Sequence, residues 1–425
     1  MYSLLLLGAT GYTGTLCAKF IVQHYPTNIR WCIASRSERK LKTLARELRE
    51  LCPDRVQPEC DFQQLKIETI ELTEESLELV IRKANVVVNG VGPFHKFSTP
   101  IVEVCARVGT HYIDFSTETL WIAELIEEYG DIARESGAIL IPGISPTAPA
   151  DLIAWLITKK TREMYSRGPS EVVSAGKLNI KAMSPGSLTT VLDSLATWGA
   201  AWYLSGNSGS WVLTPGTQRT RSVPRSPLLS RLLGYRFSPV LGPLTTSFAG
   251  PGNASIVHRS AAQNPELYGD VFHYEEYLPA TGMWNAILVH CFTKAAILLL
   301  WVPLVRRLVW KLVASKAGDL PDQEMLSRIE SAEYWAVAGS GDLQETEEGT
   351  VQASFLWEGA LYELTALLTC VGAKVLLESE SKESRGKRAG KGGFFTPSFL
   401  GMGYVEGLRD AGVKIDVRCA AEKSY

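Results

Sequence analysis

The chain has 425 residues, of which 43 are basic and 45 acidic, so its formal net charge at neutral pH is −2. This length favours two or three domains, and the near balance of charge argues against a nucleic-acid-binding protein. Eight cysteines lie scattered without a Cys-x-x-Cys pair or histidines at ligand spacing, so we expect no metal site. Reduced thiols predict a cytoplasmic protein, and the apolar run at residues 4–7 is too short for a signal peptide.

The first chemical signal is a glycine-rich turn between an apolar run at residues 2–7 and an apolar helical pattern at residues 16–22. Gly8 permits a tight turn, Gly11 lets the backbone approach a pyrophosphate, and Gly14 lets the helix pack close to the strand. A purely structural turn is the alternative. The strand, turn and helix predict a dinucleotide-binding unit. The predicted cofactor-binding residues of this turn are Gly8, Thr10, Gly11, Tyr12, Thr13 and Gly14.

The second strand is predicted at residues 29–34, and the residues after it indicate which nicotinamide cofactor binds. An NAD-specific site would place an acidic residue here to hold the ribose 2′-hydroxyl. This chain offers a hydroxyl, a guanidinium and an ammonium group instead, from Ser35, Arg36 and Lys40. These groups favour a 2′-phosphate and therefore NADP(H), although an ordinary basic surface turn would have the same composition.

Strands and helices alternate as far as residue 155, which predicts a doubly wound parallel Rossmann sheet. Another buried strand ends in a Gly-Pro loop, which should flank the cofactor ribose and nicotinamide because ligands bind outside the carboxyl ends of such strands. The predicted residues of this loop are Asn89, Gly90, Val91, Gly92 and Pro93. Residues 156–390 lack this alternation, and we expect an α+β domain with an antiparallel sheet for substrate or subunit contacts.

An apolar helix is predicted at residues 284–310. Residues 295–305 carry no charge, but Lys294, His290 and Pro303 interrupt any longer apolar window, and a membrane span needs about 20 residues. A buried or interface helix is the favoured interpretation. A helix with a basic end that rests on a membrane or lipid droplet is the second, and a true span is the third.

With these motifs assembled, the chain resembles the saccharopine dehydrogenase-like oxidoreductase family, including its trans-acting enoyl reductase branch. The resemblance is close over the first 155 residues and patchy afterwards. It implies a Rossmann domain, an α+β domain, a nicotinamide cofactor and a return of residues 391–425 toward the first domain. A homodimer is a separate expectation. The motifs that carry the resemblance are residues 8–14, 34–36, 88–94, 109–114, 149–152, 186–189, 255–260 and 392–397.

The chain departs from this family at two loops. The family usually has Ser-Gly-Glu where this chain has Ser116-Thr117-Glu118, and residues 143–147 lack the usual acidic residue. Candidate proton donors are Ser116, Glu118, Ser145 and Thr147, although such residues more often cap helices or bond within loops. His95 and Lys96 follow the Gly-Pro loop and are further candidates for a catalytic role near the nicotinamide. No catalytic residue is assigned from the sequence.

Three functions stay open from the sequence. The first is an NADPH-dependent reductase of a C=C bond in an apolar acyl or polyketide-like intermediate of specialised metabolism, supplied by an upstream synthase. The second is an imine reductase or amine dehydrogenase, which would need charged substrate ligands, for which Arg259 is the only candidate placed. The third is a non-catalytic, nucleotide-binding and lipid-associated scaffold, suggested by the missing acidic residue.

Overall fold

The computed structural model describes residues 2–52, 64–181, 185–205, 209–214, 232–314, 323–339, 350–380 and 391–419. The chain forms two compact units: Met1–Pro146 with Tyr362–Ala411, and Thr147–Leu361 with Gly412–Tyr425. The predicted division into three segments, with boundaries after residues 155 and 390, stays a prediction.

The described residues contain fourteen strands. In chain order they are β1 (Tyr2–Leu7), β2 (Arg30–Ser35), β3 (Gln64–Thr69), β4 (Ala84–Asn89), β5 (His111–Asp114), β6 (Ile139–Ile141), β7 (Glu171–Asn179), β8 (Tyr235–Ser238), β9 (Gly242–Thr246), β10 (His273–Pro279), β11 (Ser331–Gly339), β12 (Val351–Glu358), β13 (Gly393–Phe394) and β14 (Lys414–Cys419).

The helices of the described residues follow the same order. They are α1 (Tyr12–His24), α2 (Glu38–Leu51), α3 (Glu74–Ile81), α4 (Phe94–Phe97), α5 (Thr99–Val108), α6 (Thr119–Ser136), α7 (Ile144–Tyr165), α8 (Pro185–Trp198), α9 (Ala201–Leu204), α10 (Gly250–Gln263), α11 (Pro265–Tyr268), α12 (Met283–Trp301), α13 (Pro303–Ala314), α14 (Gln323–Ser327), α15 (Leu361–Glu380) and α16 (Gly401–Asp410).

The first unit is built on a seven-stranded parallel sheet with the order β13-β6-β5-β4-β1-β2-β3. Its central strands are continuous apolar runs, such as Leu4–Leu7 and Val86–Val88, whose side chains are fully buried because helices cover both faces. The strand order reverses between β1 and β4, and this reversal is where open α/β sheets bind ligands. β13 comes from the C-terminal part of the chain and pairs with β6 through Gly393 and Phe394.

The second unit contains a seven-stranded sheet with the order β14-β12-β11-β7-β10-β9-β8. Its neighbours are antiparallel except β7 and β10, which are parallel. The predicted α/β class, with a Rossmann sheet and a second unit of mixed helices and strands, is confirmed. The single parallel pair was not predicted from the sequence.

The predicted helix at residues 284–310 is two helices, α12 and α13. Val302 is extended, with φ −67° and ψ 121°, because the following Pro303 disfavours helical backbone before it. Of the favoured interpretation, a buried or interface helix, the buried form is wrong, because Trp284, Phe292 and Leu304 are 74–76% exposed. An interface helix stays a prediction. By length and composition, α12 could cross a membrane.

Candidate functional site

The glycine-rich turn is tied to the end of the neighbouring strand. The backbone N–H groups of Gly8 and Ala9 both donate to the carbonyl oxygen of Ala34, at 2.9 and 3.3 Å. Gly11 N donates to Gly8 O at 3.0 Å and closes the turn before α1 begins at Tyr12. The start of α1 therefore lies beside the carboxyl end of β2, as a dinucleotide-binding turn requires.

The close approach of three backbone segments leaves no room for side chains at the glycines. Gly8 has φ +71°, and a Cβ atom there would lie 2.6 Å from the carbonyl oxygen of Gly90. A Cβ atom on Gly14 would overlap the carbonyl oxygen of Gly8. Gly11 is exposed at the start of α1, where helix N–H groups favour a phosphate. The turn therefore fits a dinucleotide and also brings the loop after β4 against the loop after β1.

The basic residues after β2 lie at the same edge of the sheet. Ser35 is buried, and its hydroxyl accepts a hydrogen bond from Ser37 N at 3.3 Å. Arg36 and Lys40 are exposed, and neither forms an ion pair with any acidic residue that the structure describes. Their charges are thus available to an anionic group near the turn. Their assignment to the 2′-phosphate stays a prediction.

Asn89 organises the loop after β4. Its side chain is fully buried, and its Nδ2 donates to Ser98 Oγ at 2.8 Å and to the Tyr112 hydroxyl at 2.9 Å. Its Oδ1 accepts a hydrogen bond from Val91 N at 3.1 Å. The loop of Gly90, Val91, Gly92 and Pro93 is therefore held by a side chain that itself faces inward. Among these loop residues, only Gly92 is exposed.

Asp114 holds two further loops together at the same sheet edge. Its Oδ1 accepts hydrogen bonds from Ser116 N at 2.9 Å, Ser116 Oγ at 2.8 Å and Gly143 N at 2.6 Å. Its Oδ2 accepts a hydrogen bond from the Tyr112 hydroxyl at 2.5 Å. Complete burial raises the pKa of Asp114 to about 6, although these hydrogen bonds lower it in part. Asp114 thus joins the loop after β5 to the loop after β6.

The raised pKa of Asp114 predicts a pH-dependent contribution to stability. The folded-state value of about 6 lies above the value of about 3.9 expected in an unfolded chain. The contribution is therefore present below about pH 4 and is lost as the pH rises through 6, by about 3 kcal/mol in total. In Asp114→Asn this dependence should vanish. Urea unfolding should show that the free energy of unfolding of the wild type, relative to that of the variant, falls by about 3 kcal/mol between pH 4 and pH 7.

Asp131→Asn is the matched control for this experiment, because the side chain of Asp131 is 84% exposed. A shift of the same size in Asp131→Asn would assign the effect to any aspartate-to-asparagine substitution and not to Asp114. A difference for Asp114→Asn that stays constant with pH would contradict the pKa assigned to Asp114.

The four predicted proton donors have different surroundings. The hydroxyl of Ser116 donates a hydrogen bond to Asp114, and the hydroxyl of Ser145 donates one to Thr365 Oγ1 at 3.3 Å. Both serines therefore hold loops in place. Thr147 is buried within α7 in the second unit. Glu118 is the one of the four that lies beside an imidazole. These placements do not test a catalytic role, which stays a prediction for each residue.

Glu118 joins its own loop to the Gly-Pro loop. Its carboxylate accepts hydrogen bonds from Phe94 N at 3.0 Å and Thr117 N at 2.9 Å. The same carboxylate lies 3.5 Å from His95 Nδ1, and the side chains are 0% and 6% exposed, respectively. Phe94 packs against Phe115 and Trp121, which makes the surroundings apolar. A buried carboxylate that orients an imidazole is an arrangement suited to proton transfer.

A polar cluster in the second unit was not predicted from the sequence. The buried carboxylate of Glu276 accepts hydrogen bonds from Asn253 Nδ2 at 2.7 Å, Ser247 Oγ at 3.2 Å and the Tyr274 hydroxyl at 3.3 Å. Burial raises the pKa of Glu276 to about 7. The residues lie on β10, α10 and the segment after β9, and no motif connects them. The alternation of Tyr274 and Glu276 along one strand face was the only available signal.

Comparisons with known proteins agree with this geometry. The family described as Saccharopine dehydrogenase NADP binding domain matches residues 4–141. A trans-acting enoyl reductase of Mycobacterium ulcerans is 27% identical over 306 residues, which cover 70% of this chain and 70% of that protein. A lipid droplet localized protein of Caenorhabditis elegans is 28% identical over 153 residues, 36% of this chain and 35% of that protein.

A solved structure shows the same fold. Saccharopine dehydrogenase (L-Glu forming) from Saccharomyces cerevisiae matches with a TM-score of 0.51 and 12% identity, over 98% of this chain and 99% of that one. The predicted resemblance and the NADP(H) cofactor are confirmed. Residues 4–141 therefore match the NADP-binding domain of saccharopine dehydrogenase, and the chain is an NAD(P)-dependent oxidoreductase.

Proposed function

We propose that the chain uses NADPH to reduce a C=C bond in an acyl or polyketide-like intermediate that an upstream synthase supplies. The observation that carries this proposal is the similarity to a trans-acting enoyl reductase over 70% of both chains. The apolar rings of Phe94, Phe115 and Trp121 beside the Gly-Pro loop suit an uncharged substrate. Bound NADPH would supply the hydride, so the protein must position the substrate and provide a proton.

We assign the predicted cofactor residues to two groups in this proposal. The turn from Gly8 to Gly14 binds the diphosphate, and Ser35, Arg36 and Lys40 bind the 2′-phosphate. The loop from Asn89 to Pro93 lies beside the nicotinamide. The backbone contact between Gly8 and Gly90 supports one continuous site.

His95 is the proton donor in this proposal, and Glu118 positions it. His95 would supply a proton to the carbon beside the one that receives the hydride of bound NADPH, and it would regain that proton from water. Glu118 is itself fixed by two backbone N–H groups, so it can orient the ring that it faces. Ser116 and Ser145 maintain the loops around this pair through the hydrogen bonds described above.

An assay with two substrate classes tests the reaction. Purified protein with NADPH should consume a long-chain 2-enoyl thioester, and the saturated thioester should be detected by mass spectrometry. A cyclic imine of an amino acid should give at least tenfold lower kcat/KM. Faster turnover of the imine would favour imine reduction, and NADPH binding without turnover of either substrate would favour the non-catalytic scaffold.

We propose a second property, contact with an anionic lipid surface, for α12 and α13. Exposed apolar side chains recur every four residues along both helices, at Trp284, Leu288 and Phe292 in α12 and at Leu304 and Leu308 in α13. No acidic residue occurs between residues 277 and 318, whereas Arg306, Arg307 and Lys311 supply positive charge. An apolar surface with a basic border is typical of helices that lie in a membrane interface. The similarity to a lipid droplet localized protein supports this proposal.

Vesicle flotation tests this surface. The protein should float with vesicles that contain phosphatidylserine, and the double substitution Trp284→Ser and Phe292→Ser should lower the bound fraction at least tenfold, because it removes two large apolar contacts. Phe237→Ser is the control, since Phe237 is 59% exposed but lies outside these helices. A wild-type protein that stays in the soluble fraction would remove the lipid proposal, and unchanged flotation of the double variant would assign the contact to another surface.

A further inference from the structure

We infer that the first two turns of α15, through Tyr362 and Thr365, form one wall of the NADP(H) site and contact the half of the cofactor beyond the adenosine. No sequence motif placed this helix at the site. The inference depends on the NADP(H) cofactor and not on the reaction proposed above, so the two can fail separately.

α15 belongs to the first unit and packs beside α1. The Tyr25 hydroxyl donates to the Cys370 carbonyl oxygen at 2.5 Å, and Cys370 Sγ lies 3.7 Å from the Cys17 carbonyl oxygen. Gly372 allows close packing on the sheet, since a Cβ atom there would be 2.8 Å from Ile113 Cδ1. The middle of the helix is therefore packed against α1 and β5.

The N-terminal end of α15 contacts loops on both sides of the strand-order reversal. The Tyr362 ring meets the Tyr12 ring edge to face, with centroids 5.2 Å apart and an interplanar angle of 81°. Tyr12 directly follows Gly11 of the glycine-rich turn. One turn later, Thr365 Oγ1 accepts a hydrogen bond from Ser145, which lies just after β6. β4 and β5 lie between β1 and β6 in the sheet, so the start of α15 extends over the ends of the strands that carry the Asn89 loop.

The surroundings of these two residues suit a ligand. Tyr362 and Thr365 are both partly exposed, whereas Leu364 and Leu368 beside them are buried in the unit. An aromatic face and a hydroxyl are suited to an uncharged ring and a ribose. Adenosine, by contrast, is expected near Arg36, on the far side of the turn. The wall formed by α15 therefore faces the diphosphate, nicotinamide ribose and nicotinamide.

Two ligands and two variants test the inference. For Tyr362→Ala the dissociation constant of NADPH should rise about three- to tenfold, because one aromatic contact is lost. The dissociation constant of adenosine 2′,5′-bisphosphate, which lacks the nicotinamide half, should change less than twofold. Tyr362→Phe keeps the ring and should bind both ligands within twofold of wild type. Tryptophan fluorescence would measure all of these constants.

The outcomes are distinct. Unchanged NADPH binding by Tyr362→Ala would overturn the inference, and an equal loss for both ligands would show that Tyr362 acts only through the glycine-rich turn. If the alanine variant does not fold, hydrogen exchange of the wild-type protein replaces it. NADPH should slow amide exchange in residues 361–366 at least threefold, whereas unchanged exchange there would also overturn the inference.

Discussion

Replacing His95 with glutamine should lower kcat for NADPH-dependent enoyl reduction by about 10²- to 10⁴-fold, the range attributed to a lost general acid. The dissociation constant of NADPH should stay within twofold of wild type, since the imidazole is assigned to the substrate and not to the cofactor. Stopped-flow absorbance of NADPH at saturating thioester, together with fluorescence titration, would measure both quantities. Glu118→Gln should give a smaller loss of kcat, because it leaves the imidazole in place but less well oriented.

Lys96→Gln is the matched control for His95→Gln. Lys96 is the next residue of α4 and is exposed, so its loss should change kcat less than twofold. If His95→Gln retained more than a third of the wild-type kcat, the proton would have to come from another group. A parallel loss of NADPH affinity would instead indicate that His95 supports the Gly-Pro loop.

The second large effect is expected at Arg36, where alanine should raise the dissociation constant of NADPH about 10- to 100-fold. This range corresponds to a charge-assisted hydrogen bond of about 1.5–3 kcal/mol. NADH lacks the 2′-phosphate, so its dissociation constant should change less than twofold. Titrations of both cofactors against wild type and Arg36→Ala, at one fixed salt concentration, would measure the ratio.

Arg46→Ala provides a control of equal charge for Arg36→Ala. Arg46 is an exposed residue of α2 whose side chain pairs with Glu50, and it should leave the preference for NADPH unchanged. Equal losses of NADPH and NADH affinity in Arg36→Ala would place the 2′-phosphate elsewhere.

The parts predicted well from the sequence are those in which neighbouring residues determine the structure. The run Leu4–Leu7, the glycines at positions 8, 11 and 14 and the following helix lie within one short segment, and local backbone preferences suffice to interpret it. The α/β class and the NADP(H) cofactor followed from such segments.

Other features depend on pairs of residues that are distant in sequence. β13 has only two residues, which is too short for a periodic pattern, and it exists because Gly393 and Phe394 meet β6. Tyr362 reaches Tyr12 across 350 positions of the chain. The predicted burial of residues 284–310 is wrong for a different reason. Composition shows that a helix is apolar, but it does not show what covers the helix.

The edge strand β13 has a consequence for synthesis on the ribosome. Residues 139–141 of β6 emerge early, whereas their partner and α15 follow only after the second unit, Thr147–Leu361, has been made. At about 5–20 residues per second, roughly 200 residues take about 10–40 s. During this interval an apolar strand edge of the nascent cofactor domain stays unpaired, which is the condition under which chains associate wrongly. The nascent domain is therefore open to wrong association until residues 393 and 394 have been made.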